Sequence, residues 1–157
     1  MAESGFGGRS GDVERARKYF LKAARRGHAQ ALCDLGRMYS KGIGVEKNEQ
    51  KAERFFRRSA SRGCSLGYVH LGLLKEYATL PEVAGESEES RKERQNKQWK
   101  QAYRFYRAAA LMKDVEAHYR LASMLAQGKG VKADPEQAKA WLQRALATTT
   151  AKRKQDK

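Results

Sequence analysis

The residues of this chain that could do chemistry are few, and their spacing argues against a reaction. His28, His70 and His118 stand apart, and none has a second His or a Cys at the short spacing of a zinc-ligand pair. All three are expected at the surface or at the edge of a core. Cys33 falls on an apolar helix position and Cys64 beside a helix end, with no base placed to activate either thiol. Two cysteines also make no disulfide framework. Gly42-Ile43-Gly44-Val45 and Gly128-Lys129-Gly130-Val131 resemble phosphate loops only superficially. Neither completes a dinucleotide or P-loop signature, and neither follows a strand. No Ser-His-Asp set and no carboxylate pair can be assembled. The expectation is therefore no catalytic residue, no cofactor, no metal and no small-molecule substrate.

What remains is charge. The chain carries 33 basic against 18 acidic residues, a net charge of +15. Lys18, Lys22 and Arg26 recur every fourth residue, which lines them along one helix face, and Arg54, Arg58 and Arg62 repeat the stripe 36 residues later. Arg104 and Arg107 add to it further on. Residues 14 to 62 hold 14 basic and 5 acidic residues, a local +9. A face that served solubility alone would mix its signs, whereas one sign dominates here. Arginine forks suit phosphate or carboxylate oxygens, so these eight residues are the candidate site for an anionic partner. RNA phosphate is favoured over an acidic protein. The contacts would be independent of base sequence, because no RNA-reading motif is present. Tyr19, Phe20, Phe55 and Phe56 are expected in the core rather than as base-stacking platforms.

The elements that must carry these residues follow from an internal repeat. Ala16-Arg17-Lys18-Tyr19-Phe20, then Ala23-Ala24 and Gly27, return as Ala52-Glu53-Arg54-Phe55-Phe56, Ser59-Ala60 and Gly63, and Leu35-Gly36 returns as Leu71-Gly72. A third copy starts at Ala102, after an insertion of 14 residues, and a fourth half-copy opens at Ala138. Each copy reads as two helices. The first buries residues such as Ala16, Tyr19, Phe20, Ala23 and Ala24, and the second buries Ala31, Leu32, Leu35, Met38 and Tyr39. Gly27, Gly63, Gly42 and Gly128 suit left-handed helix ends. Asp12, Asn48 and Asp134 sit at equivalent places and suit N-caps. Ser90 and Glu93 form a capping box that predicts a long helix from about Arg91 to Met112, after a mobile loop over 81–89.

With these motifs written out, the sequence resembles the Sel-like repeat, a relative of the tetratricopeptide repeat, over residues 12 to 147. Ala16 to Val45 is the fullest copy. The second loses its Gly-x-Gly-Val to the insertion, and the third has Lys113 and Ala122 where glycines belong. The resemblance implies an all-α fold, a right-handed α-solenoid of antiparallel helix pairs that scaffolds protein complexes, with no catalytic residues to carry over. The expected organisation is a flexible N-terminus (1–11), one helical-repeat domain (12–147) with a polar insertion near 79–97, and a basic C-terminal tail (148–157). Helix pairs need neighbours to bury their apolar faces, and this chain begins and ends on the same type of helix, so one or both ends are expected to dock onto a partner.

No apolar run approaches a membrane span, and the first residues form no secretory signal. The chain therefore reads as soluble and intracellular, with the mitochondrial matrix among the compartments this allows. The expected role is a scaffold or adaptor subunit bound to other proteins of a larger assembly. A ribonucleoprotein such as an organellar ribosome is favoured, with RNA held through its phosphates. The alternative is a free-standing adaptor for a peptide or an acidic protein, without nucleic acid.

Overall fold

A computed structural model describes residues 10–156, and every regular element among them is a helix. In chain order these are α1 (Ser10–Arg25), α2 (Ala29–Lys41), α3 (Glu49–Ser61), α4 (Ser65–Glu76), α5 (Glu88–Leu111), α6 (Val115–Gln127) and α7 (Pro135–Gln155). The chain divides into two compact units, Met1–Gly67 and Tyr68–Lys157. Of the expected flexible N-terminus, residues 1–9 lie outside the described residues, as does Lys157 of the expected tail.

In the first unit, the apolar stripes of α1 and α2 meet around Leu32, Leu35, Ala31, Met38 and Ala24, with Val13, Phe20 and Leu21 packed onto them. α3 then lies along the other side of α2. Phe56 is buried because Gly36 leaves room for its ring; a Cβ at Gly36 would lie 2.5 Å from the ring edge. Phe55 stacks on Tyr39 with ring centroids 5.6 Å apart. The buried Ser59 hydroxyl donates to the carbonyl of Ala29 at 2.7 Å, which satisfies a group that would be costly to bury unpaired. Asn48 caps α3 by accepting from the Lys51 amide at 2.9 Å, as expected. Asp12 does not cap α1. The helix is already formed at Ser10, so Asp12 sits in its first turn, where a negative charge still complements the helix dipole.

The second unit repeats the logic. Tyr106 is fully buried on Gly72, whose missing side chain leaves the space for the ring, and its hydroxyl donates to Glu76 at 2.6 Å. Burial and that hydrogen bond both push the phenol upward, so it stays protonated. Ala102, Ala109, Ala117, Leu121, Met124 and Val69 complete this core. Ala122, Leu125 and Ala138 form a further cluster under Trp141. His118, expected at a surface or core edge, is 4% exposed. It sits 5.5 Å from the Trp141 ring, and its Nδ1 lies 2.5 Å from the Asp114 carbonyl oxygen. The correction has a simple cause: α6 is covered by helices on two sides, so a position that looks peripheral from one stripe is interior to the other.

The insertion also departs from expectation. α5 begins at Glu88, because the Ser87 hydroxyl accepts from the Ser90 amide at 3.2 Å and caps the helix three residues earlier than Ser90 would. The preceding loop is tied down. Arg94 makes a two-pronged contact to Glu86, at 2.6 and 2.5 Å, and also donates to the Pro81 carbonyl at 3.0 Å. At the far end, α7 runs to Gln155 through Thr148, Thr149 and Thr150. Each threonine hydroxyl donates to the carbonyl four residues back at 2.9 Å.

Candidate anionic-partner interface

The helices place the predicted cations outward for the same reason that they bury the other face. On α3, Ala52, Phe56, Ser59 and Ala60 are buried, which turns Arg54 and Arg58 to solvent, with Arg62 at the C-cap. On α1, the packing of Phe20, Ala23 and Ala24 does the same for Lys18, Lys22 and Arg26. In the second unit, Arg104 and Arg107 project from α5 opposite Ala102, Tyr106 and Ala109. All eight are exposed.

Their engagements differ. Lys18 pairs with Glu14 at 3.0 Å, an exposed contact one helical turn apart that solvent screens. That lysine holds the Glu14 carboxyl below the usual carboxylate range. Arg62 turns back and donates to the Gly27 carbonyl at 3.4 Å, which brings the end of the α3 stripe beside Arg26. Lys22, Arg26, Arg54, Arg58, Arg104 and Arg107 have no acidic side chain within ion-pair reach among the described residues. Other cations do find partners: Arg57 with Glu53 at 2.7 Å, Arg120 with Glu116 at 3.1 Å, and Lys139 with Glu136 at 3.2 Å. An unpaired, solvated guanidinium pays little desolvation on meeting a phosphate and gains a forked contact.

Sequence reasoning missed a recess of about 420 Å³ beside the α2–α3 turn, lined by Arg17, Tyr39, Lys47 and Lys51. Lys51 lies 5.4 Å from the centre of the Tyr39 ring, a cation–π distance. The available signal was that Arg15 and Lys51 share one repeat position and are both basic. Of the four aromatics expected in the core, Phe56 is buried and Phe20 and Phe55 are half-buried and packed, but Tyr19 is 69% exposed. Phe55, its repeat equivalent, is covered by the ring of Tyr39; Tyr19 meets the Phe20 ring edge-on, with ring centroids 6.0 Å apart.

Of the two thiols, Cys33 is withdrawn from solvent, and burial pushes its pKa up to about 12. Cys64 is partly exposed, with its sulfur 3.8 Å from Gln30 Oε1. Among the described residues, no three His, Cys, Asp or Glu side chains gather as a metal site would require. No helix among them is long and apolar enough to cross a membrane.

Comparison with known proteins bears on these surfaces. The Sel1 repeat family model matches residues 1–28, 29–64 and 115–147. An exopolysaccharide production negative regulator of Rhizobium meliloti (strain 1021) is 30% identical over 146 residues, covering 87% of this chain and 51% of the relative. The chain spans about half the length of the curated relatives of this kind that it matches. Among solved structures, a Sel1 repeat protein from Oxalobacter formigenes superposes with a TM-score of 0.68 at 27% identity, over 83% of this chain and 48% of that one. Helicobacter pylori cysteine rich protein B superposes with a TM-score of 0.60 at 19% identity, over 92% and 93%, a likeness of fold alone. The fold class expected from the repeat, an all-α solenoid of helix pairs, is the one these structures share with the chain.

Proposed function

Because the chain belongs to the Sel1 repeat family, whose members are typically non-catalytic interaction modules, we propose that it is a scaffold subunit that holds an anionic macromolecule on its basic helix faces. The anion we favour is RNA phosphate, within a ribonucleoprotein of which an organellar ribosome is the leading case. One observation carries this: Lys22, Arg26, Arg54 and Arg58 are exposed on α1 and α3 and unpaired by acidic side chains. A second reading, an adaptor for an acidic protein without nucleic acid, is supported by the family itself, whose repeats mediate protein–protein interaction.

The test is binding of a fluorescein-labelled single-stranded RNA across a salt series, for the full chain and for Arg54→Glu/Arg58→Glu. Wild-type affinity should fall linearly with the logarithm of salt. The double reversal should weaken binding at least about tenfold and flatten the salt slope by about 1–2, the share of two phosphate contacts. Equal affinity and slope for the two proteins would sink the RNA reading. Capture of an acidic protein that ribonuclease leaves in place, and that the double reversal releases, would decide for the adaptor.

A further inference from the structure

The recess beside the α2–α3 turn has a counterpart in the second unit, and the pair separates what the repeat builds from what it does not. Both are framed alike. Gly42 and Gly44 turn the chain with φ of 70° and 67°, and Gly128 and Gly130 do so with 67° and 68°. The Asn48 backbone amide donates to the Tyr39 carbonyl at 2.9 Å, and that of Asp134 to the Leu125 carbonyl at 3.0 Å. Asn48 and Asp134 cap α3 and α7 by accepting from the amide three residues on. The first recess, of about 420 Å³, is walled by α1, α2, their following turn and the start of α3, all consecutive elements of one unit. The second, of about 550 Å³, is walled in the same way by α5, α6, the α6–α7 turn and the start of α7.

Their linings differ in charge. Arg17, Tyr39, Lys47 and Lys51 line the first, and Tyr103, Leu125, Ala133 and Gln137 line the second at the same repeat positions. The framework thus forms without these three cations, so folding does not account for them. Nor are they consumed internally. Arg17 has no acidic partner within ion-pair reach among the described residues, and its Nε is buried without a hydrogen-bond acceptor there. A buried donor left unpaired costs free energy, and an arriving acceptor would relieve it. Lys51 lies against the Tyr39 ring rather than a carboxylate. Lys47 reaches Glu49 at 3.6 Å, an exposed pair that solvent screens. Glu46 is the one carboxylate in the lining, which leaves two positive charges in surplus.

We propose that this recess binds a small phosphate monoester as its dianion, with the Arg17 guanidinium on the phosphoryl oxygens and Lys47 and Lys51 as point charges beside it. Charge selects the class. A monoester carries about −1.5 to −2 near neutral pH and balances the surplus, whereas a carboxylate or a phosphodiester brings a single charge. Size selects a small ester. The recess exceeds a phosphoryl group and falls within the range of small-molecule sites, about 300–1,000 Å³, which leaves room for a sugar-sized remainder. This site goes beyond the RNA reading and stands without it, because the internal phosphates of RNA are diesters.

The probe is ribose 5-phosphate, titrated into the isotope-labelled full chain and followed by NMR. The amides of residues 44–47 and 51 and the Arg17 Nε–H signal should shift in a saturable way. Dimethyl phosphate, a diester, should bind at least about tenfold more weakly. Lys47→Ala/Lys51→Gln installs the residues that the same framework carries in the second unit, and it should weaken ribose 5-phosphate binding about tenfold or more. Arg17→Gln should do the same. Lys139→Gln/Lys152→Gln removes two exposed charges from the second unit and should leave the affinity unchanged. The proposal is overturned if no saturable shifts appear, if they map outside the recess, or if Lys47→Ala/Lys51→Gln binds as wild type. Equal binding of dimethyl phosphate would also overturn it, since the recess is then one more contact for a nucleic-acid backbone. An equal loss in Lys139→Gln/Lys152→Gln would reduce the effect to net charge and sink the site as well.

Discussion

Lys113 shows how one residue can keep a repeat while breaking its rule. It stands where the first two copies have Gly27 and Gly63, and it takes the same left-handed backbone, with φ of 62° against 86° and 84°. A side chain there costs about 1–2 kcal/mol that glycine avoids. Lys113→Gly should therefore raise the stability of the fold by about 0.5–1 kcal/mol, after allowing for glycine's greater freedom in the unfolded chain. A thermal melt showing a lower midpoint would contradict this. The departure at residue 113 was legible in the sequence as a missing glycine, but that the backbone would hold its conformation regardless was not. The same limit applied to Tyr19 and His118. Their repeat positions were readable; their burial depended on which neighbouring helix covers them.

At the scale of elements, the seven helices, the Asn48 and Asp134 caps and the glycine turns at Gly42 and Gly128 were all legible, because periodicity and capping are written in local sequence. The insertion was less so. Its anchor pairs Arg94 with Glu86 and Pro81 across a turn, and nothing in the spacing of those residues announces it. That anchor should respond to acid. The Arg94 hydrogen bond holds the Glu86 carboxyl below its ordinary value of 4.5. A carboxyl whose folded pKa is depressed contributes stability that is present above the ordinary value and is lost as pH falls through the folded one. The protection of the amides over residues 82–87, with the intrinsic exchange rate divided out, should be high near neutral pH and fall in acid, below the ordinary carboxylate value of 4.5, while Arg94→Gln should show low protection at every pH. Protection of the wild-type loop that is indifferent to acid would refute the anchor. The glycine seats give a second expectation. Gly36→Ala should cost about 1–3 kcal/mol by overpacking against Phe56. Adding Phe56→Leu should recover part of that loss, and a chemical-denaturation cycle would show it as a coupling between the two sites.

For the whole molecule, a charge of +15 was read from composition alone, and its concentration on a few helix faces from the four-residue spacing and the repeat. Which cations remain unpaired was not legible, since it depends on where Glu53, Glu116 and Glu136 happen to reach. Distributed charge has its own signature. Arg54→Glu/Arg58→Glu lowers the net charge from +15 to +11, and a partner held by the field of many cations should lose affinity in steps rather than all at once. The contact between a glycine and a ring also has a meaning beyond stability. A ring at position 56 constrains what position 36 can become, so neither site is free to drift alone. Position 122, where the first two copies have glycine, is an alanine, and its counterpart at 142 is a leucine that stands 39% exposed instead of a seated aromatic. Across descendants of this chain, substitutions at these paired sites should appear together or in quick succession, and a lineage that loses the ring first would have opened the path for the glycine to follow.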